Sequence, residues 1–223
     1  TLTWYRNGQP YNGYPVQLAV EPKDLWSDFP NTEGEPTPVT INDRIMTGDD
    51  TRAELRFPDG SVFRIKSNTV LSMLKGGLQL QVGEQWFNLQ KQGSTFQVVT
   101  PTTVCGVLGT TFSVRVGEDG NTDVLLYDGT LQVSDEGGNS PMTLESGQKV
   151  SVDSQGPGVA EPLGADETLT AWMAGWEAHD PASGGGGCSM MRNSSAASNG
   201  IVPLFTVLAL LVAYRRVNRR RFH

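Results

Sequence analysis

The sequence predicts an all-β fold, on three observations. Apolar and polar residues alternate with period two from about residue 38 to residue 152, which gives each segment one apolar and one wet face. Glycine-bearing turn dipeptides cut that stretch at short intervals. The 223 residues include 26 Gly and 13 Pro but only 37% hydrophobic and 18% charged side chains, whereas a helical bundle needs more Ala, Leu, Glu and Lys. An aromatic content of 8%, with frequent Val, Phe and Leu, excludes a wholly disordered chain.

Residues 21–38 hold four prolines and many acids and read as a surface loop between strands. Beyond it, Ala53, Leu55 and Phe57 alternate with Glu54 and Arg56, and Phe63 and Ile65 with Arg64 and Lys66. Leu78, Leu80 and Val82 enclose Gln79 and Gln81, and Phe112, Val114 and Val116 enclose Ser113 and Arg115. Asp59-Gly60, Gly76-Gly77, Asp119-Gly120, Asp128-Gly129 and Gly137-Gly138 favour the positive φ of tight hairpins. At a mean strand length of ~5–6 residues, about ten to twelve short strands fit the stretch, stacked as an antiparallel roll, a sandwich or a solenoid-like pile. The apolar faces place Phe57, Phe63, Ile65, Leu80, Phe87, Phe96, Phe112, Val114, Leu131 and Val150 in the core.

After Val152 the chain turns irregular through Gln155-Gly156-Pro157-Gly158. A helix is expected over 166–178, with Asp166 as N-cap and Leu169, Trp172, Met173 and Trp176 at spacings of three and four. That aromatic stripe suits packing on the sheet, and the lack of basic residues disfavours a membrane-surface helix. The expected organisation is a β-domain over 1–162, a helix and linker over 163–182, and a tail over 183–223.

Charge separates the tail from the body. Of 17 Lys and Arg, six lie after Gly187 and no acid does, so residues 1–187 carry 11 basic against 24 acidic side chains. A body that acidic is repelled by phosphate backbones, which excludes nucleic acid as a partner.

The residues of catalysis are missing. His179 and His223 stand in a linker and at the last position, so neither can join a zinc site or serve as a positioned base. No phosphate-binding or dinucleotide-binding glycine motif occurs, and no carboxylate pair can be located at a shared site. Asp119-Gly120-Asn121-Thr122-Asp123 begins like a calcium loop, but Val124 stands where glycine is required and Thr130 where the closing glutamate belongs, so a hairpin tip is preferred. Asp49-Asp50 reads as exposed loop acids. Cys105 reads as a buried apolar side chain, not a disulfide partner of Cys188. No enzyme, metal or cofactor is expected.

A family emerges from the order of the motifs. Ile41-Asn42-Asp43-Arg44-Ile45 is followed by Thr47 to Leu55, then by Phe57-Pro58-Asp59-Gly60-Ser61 and Phe63-Arg64-Ile65. Phe96 to Pro101 leads into Gly106-Val107-Leu108-Gly109-Thr110-Thr111-Phe112-Ser113-Val114, and Tyr127 to Val133 and Leu144 to Val150 complete the series. Over about 38–152 this resembles the FecR domain, with Asp59, Gly60, Gly106, Gly109, Thr110, Phe112, Asp128 and Gly129 as its motif residues. By their residue types alone, Asp59-Gly60 and Asp128-Gly129 are hairpin turns, and Gly106 and Gly109 flank a close backbone approach or a bulge. Members of the family usually carry an arginine where this chain has Leu108. The resemblance implies an exported, non-enzymatic module. Some members are transmembrane regulators that relay a signal to a sigma factor, and many others are free-standing extracytoplasmic modules. It also makes Thr1 to Gly8 look like the second half of a first hairpin, in a chain whose native start was removed with an export signal or trimmed.

The tail has three parts. Gly184, Gly185, Gly186, Gly187 and Cys188 form a small-residue motif, and a polar spacer follows. Ile201 to Tyr214 is an apolar run carrying Ile201, Leu204, Phe205, Leu208, Leu210, Leu211 and Tyr214, closed by Arg215, Arg216, Arg219, Arg220 and Arg221. As a helix the run rises about 21 Å, short of a ~30 Å hydrocarbon core unless the arginines snorkel. Those arginines set their end in the cytoplasm and the acidic body outside. The tail resembles prokaryotic sorting signals of the GlyGly-CTERM and MYXO-CTERM types, which implies a rhomboid-like, exosortase-like or sortase-like membrane protease as partner and cleavage near Gly187-Cys188.

The sequence thus predicts a bacterial envelope β-module on the periplasmic or cell-surface side, held through its tail and presenting a sheet face or loop tips to an unidentified envelope ligand. The alternative is a transmembrane signal-relay regulator. That needs a folded cytoplasmic portion, which the nine residues after Tyr214 do not provide and an upstream domain would have to supply.

Overall fold

The computed structural model describes residues 1–6, 16–19, 27–28, 34, 36–49, 51–90, 96–107 and 109–177. Two compact units divide the chain, Thr1–Ser183 and Gly184–His223. The second unit lies outside the described residues, and with it the Gly184–Cys188 motif, the apolar run from Ile201 to Tyr214 expected as a helix, and the five arginines.

Among the described residues the chain forms seventeen strands and one helix. They are β1 (Leu2–Arg6), β2 (Val16–Ala19), β3 (Ser27–Asp28), β4 (Arg44–Thr47), β5 (Thr51–Arg56), β6 (Val62–Ile65), β7 (Val70–Leu74), β8 (Gly77–Asn88) and β9 (Phe96–Val99). Then follow β10 (Thr103–Val107), β11 (Thr111–Val116), β12 (Thr122–Asp128), β13 (Thr130–Asp135), β14 (Met142–Glu145), β15 (Gln148–Asp153), β16 (Gly156–Pro157), β17 (Glu161–Pro162) and α1 (Leu169–Glu177). The all-β prediction holds, and the predicted stretch contains twelve strands, β4 to β15.

One sheet runs β1-β5-β6-β8-β11-β12-β15, with β16 and β17 both paired to β15. The other runs β3-β2-β4-β7-β8-β9-β10-β13-β14. Pairing is antiparallel throughout, except between β8 and β9. Strand β8 belongs to both sheets. Its first half pairs with β7 and β9, and its second half, from Gly83, with β11 and β6. This shared strand turns the two sheets into a nearly closed, barrel-like roll around one core.

Cross-strand register builds that core in rungs. Leu55, Phe63, Phe87, Phe112 and Leu126 face one another along one rung, all fully buried or nearly so. The next rung is Ala53, Ile65, Gln85, Val114, Val124 and Val150. Eight of the ten predicted core residues are buried; Phe57 and Phe96 are half-buried. Both rings pack on Phe63, at 4.6 and 5.2 Å, and border the core.

Gln85 is the exception within its rung. It is fully buried, and among the described residues its side-chain amide has no hydrogen-bond partner. Gln85→Met keeps the volume and removes the desolvated amide, so we expect a gain of about 1–3 kcal/mol, read as a higher urea midpoint at unchanged slope. A lower midpoint would show that the amide is satisfied in solution.

Asp59-Gly60, Gly76-Gly77, Asp119-Gly120 and Gly137-Gly138 close hairpins as predicted. Asp128-Gly129 does not: β12 lies in one sheet and β13 in the other, so this dipeptide is a corner between sheets. Within residues 21–38, read as a loop, Ser27–Asp28 pairs with β2 and Thr37 bridges to Leu2. β1 itself pairs with β5.

Candidate functional site

Four of the eight motif residues, Gly109, Thr110, Asp128 and Gly129, meet at the sheet-to-sheet corner. Gly129 stands at φ +96°, and a Cβ there would come within 2.7 Å of Thr110 Cγ2 and 3.2 Å of the Gly109 carbonyl. The Gly129 amide donates to Ser146 Oγ at 3.0 Å, and that hydroxyl donates back to the Gly129 carbonyl at 3.1 Å. The Thr110 carbonyl accepts the Leu89 amide at 3.0 Å, and the register slips between Thr111 and Phe112. The predicted bulge thus falls after Gly109, while Gly106 sits in regular pairing between Gln97 and Gln132. Phe112 lies in the core and Asp128 is exposed. Asp59 accepts from the Ser61 amide at 2.8 Å and the Ser61 hydroxyl at 3.0 Å, fixing the β5–β6 turn around Gly60. These are folding devices: corners, turns and a ring in the core. Leu108 lies outside the described residues.

The side chains with chemistry lie elsewhere, on the outer face of β5, β6 and β8. Register aligns Glu54, Arg64 and Trp86 across the three strands. The Glu54 carboxylate, 4% exposed, meets Arg64 at 3.0 Å and Arg56 at 2.6 Å. Lys66 pairs with Glu84 at 2.9 Å. The sequence pattern reads this face as wet, yet Arg52, Glu54 and Trp86 are buried.

Helix α1 is what buries it. Trp172 and Trp176, each 6% exposed, join Trp86 in a second apolar cluster separate from the core. Arg52 and Arg64 stack over the Trp176 ring at 4.4 and 4.6 Å, Arg64 lies 5.4 Å from the Trp86 ring, and Lys66 lies 4.8 Å from Trp172. The Trp86 and Trp172 rings are 6.1 Å apart. Trp172 Nε1 donates to Glu84, Trp176 Nε1 to the Ile65 carbonyl at 3.4 Å, and Arg52 to the Trp176 carbonyl at 2.6 Å.

The predicted aromatic stripe therefore packs on the sheet, but the helix starts later than expected. Thr168, not Asp166, is the N-cap: its hydroxyl accepts the Ala171 amide at 3.2 Å and its carbonyl the Trp172 amide at 2.9 Å. Glu167 just before it accepts from Lys149 at 2.8 Å and the Gly164 amide at 2.8 Å. Those two bonds, Lys149 first, hold its carboxyl below the ordinary range.

Along β11, β12 and β15 the same outer surface carries Arg115, Asp123 and Ser151 in register. Arg115 bonds Asp123 at 2.5 and 3.1 Å, and Ser151 donates to it at 2.6 Å. Burial alone would raise the Asp123 carboxyl, but the Ser151 and Arg115 bonds outweigh it and hold it low. Asp119 accepts from the Asn121 amide at 3.1 Å and its side chain at 2.8 Å. The two acids of the calcium-like stretch thus serve separate partners. Among the described residues, no three His, Cys, Asp or Glu gather as metal donors, and no helix is long and apolar enough to cross a membrane. Cys105 is fully buried, which pushes its thiol up to about 12.

With the geometry in place, similarity to known proteins can be set beside it. The sequence model of the family described as FecR protein matches residues 43–132, less than half of the chain. Two crystal structures of a candidate anti-sigma factor from Parabacteroides distasonis are similar to this chain, and the 1.65 Å one shares the fold. The 1.65 Å structure is 24% identical over 59% of this chain and 65% of its own, with a TM-score of 0.50. The 2.50 Å structure is 24% identical over 61% and 64%, with a TM-score of 0.47. This chain thus spans less than two thirds of the length of those chains. The sequence matches no curated protein.

Proposed function

We propose that the chain is a FecR-like regulatory β-module that works by binding and passes a signal onward, as transmembrane regulators of sigma factors do. The observation that carries this reading is the FecR match over residues 43–132, which runs from β4 into β13 and so takes in the shared strand and the corner motifs. The fold of the candidate anti-sigma factor agrees with it. The regulatory reading therefore stands ahead of a non-signalling surface module. Binding in place of catalysis fits the ionic and aromatic groups of the outer face, which are occupied with one another.

The tail completes the proposal. Ile201–Tyr214 would hold the protein at the bacterial envelope, Arg215, Arg216, Arg219, Arg220 and Arg221 would keep that end cytoplasmic, and Gly184–Cys188 would be the processing motif read by a membrane protease.

Deletion of residues 43–132 in the native host tests the regulatory claim. A severalfold change in one coherent set of sigma-dependent transcripts, reversed by the full chain, is expected; an unchanged transcriptome would overturn it. Mass spectrometry of the native protein tests the tail. A carboxy terminus near Gly187-Cys188 is expected, and a chain ending at His223 with unmodified Cys188 would leave a plain tether.

A further inference from the structure

The face under α1 has the make-up of a receptor. It presents Trp86 beside Arg64, with Arg52 and Lys66 on the same face, and with Glu84 and the Ile65 carbonyl as acceptors for indole N–H groups. Among the described residues its occupant has nine residues, well under the ~12–15 at which an isolated helix becomes even marginal in water. No acid in its first turn or base in its last turn supports it. Its two tryptophans are spaced i, i+4, so both point to one side, and that side is the one buried. The helix exists because the face organises it. The core of the roll, by contrast, is complete without it, since the tryptophan cluster is separate from the main one.

We infer that the outer face of β5, β6 and β8 is a binding site for a short helix bearing Trp-x-x-x-Trp, that α1 is its tethered occupant, and that α1 leaves and returns as a unit while the roll stays folded. The chemistry of the partner follows from the face. Two indoles one turn apart engage the cations and donate to Glu84 and the Ile65 carbonyl, and the Trp176 carbonyl takes the Arg52 guanidinium. The Glu167–Lys149 pair and the Leu163 amide, which donates to the Gly147 carbonyl at 2.9 Å, hold the chain just before the helix to the roll, so α1 pivots about that point. Attachment also sets the affinity scale: a tethered segment acts at millimolar effective concentration, and a free helix must outcompete it. The inference does not rest on the regulatory reading and can fail or stand without it.

Native-state hydrogen exchange on the full chain is the first test. The hydrogen-bonded amides of α1 should exchange through an opening that needs less urea than the amides of β5, β6 and β8. Exchange of α1 only with global unfolding would overturn the inference. The second test uses the full-length double variant Trp172→Ala/Trp176→Ala and a fluorescein-labelled peptide of residues 164–178. Saturable binding to the variant, at least tenfold tighter than to wild type, is expected, with loss of binding when Trp86→Ala is added. Equal binding to both proteins, or none to a variant whose sheet amides stay protected, would overturn it. If the double variant fails to fold, the exchange measurement on wild type still decides.

Discussion

Gly83→Ala should lower the stability of the roll by several kcal/mol. Two costs coincide at this position. The backbone stands at φ +102°, where a side chain is strained by ~1–3 kcal/mol. A Cβ would also lie 2.5 Å from Thr69 Cα and 2.7 Å from Thr69 Cβ, an overlap worth ~1–3 kcal/mol more. Thr69 cannot step aside. Its amide donates to Thr47 Oγ1 at 3.0 Å, its carbonyl accepts the Thr47 amide at 3.0 Å, and its hydroxyl accepts the Glu84 amide at 3.1 Å. Gly138→Ala is the matched control, because its φ is +76° and nothing lies within 4 Å of the added carbon. Urea melts followed by circular dichroism should show Gly83→Ala well below Gly138→Ala. If the two agree within about 1 kcal/mol, the bend in β8 is looser than described.

Phe112→Ala should cost ~3–5 kcal/mol, the usual penalty for emptying a ring-sized space in a packed core. Phe112 and Phe87 stack 4.6 Å apart at 9°, Phe63 meets Phe87 at 4.9 Å, and all three are fully buried. The rings are cross-strand neighbours on β6, β8 and β11, so the loss falls where three strands meet. Phe57→Ala, at the half-buried border, should cost clearly less. A change under about 1 kcal/mol for Phe112→Ala would mean that its ring is not enclosed in solution.

Much of the fold could be read from local pattern. Alternation such as Phe112, Val114, Val116 reports an inner face directly, and glycine dipeptides mark turns. The failures are places where the local signal reports something else. In β8 the side chains that face the core are Leu78 and Leu80 and then Gln85 and Phe87, a change of parity across the bend that a single alternation cannot express. Asp128-Gly129 has hairpin chemistry but serves as a corner, since which strands pair is decided by residues far away. Arg52 and Glu54 look solvated because their cover, α1, lies more than 100 residues on. Trp86 among outward-facing charges was the available sign that something covers this face. The site was therefore less legible than the fold: the motif residues mark corners and turns, while the aromatic–cationic face needed tertiary structure to assemble.

The double membership of β8 also governs how the molecule can be made. Its bonds run to β6 and β7 behind it and to β9 and β11 ahead of it, so neither sheet can be finished before the other is begun. A chain emerging from its amino end carries β6 and β7 each with a bare edge until β8 arrives, and β8 itself stays half-paired until β11 does. Such non-local closure makes for slow, all-or-none assembly. Splitting the roll at β8 would give two fragments with open edges and no complete core. The interval before closure is when those edges are open to mispairing with other chains, and the length of the wait is set by the strand that joins the two sheets.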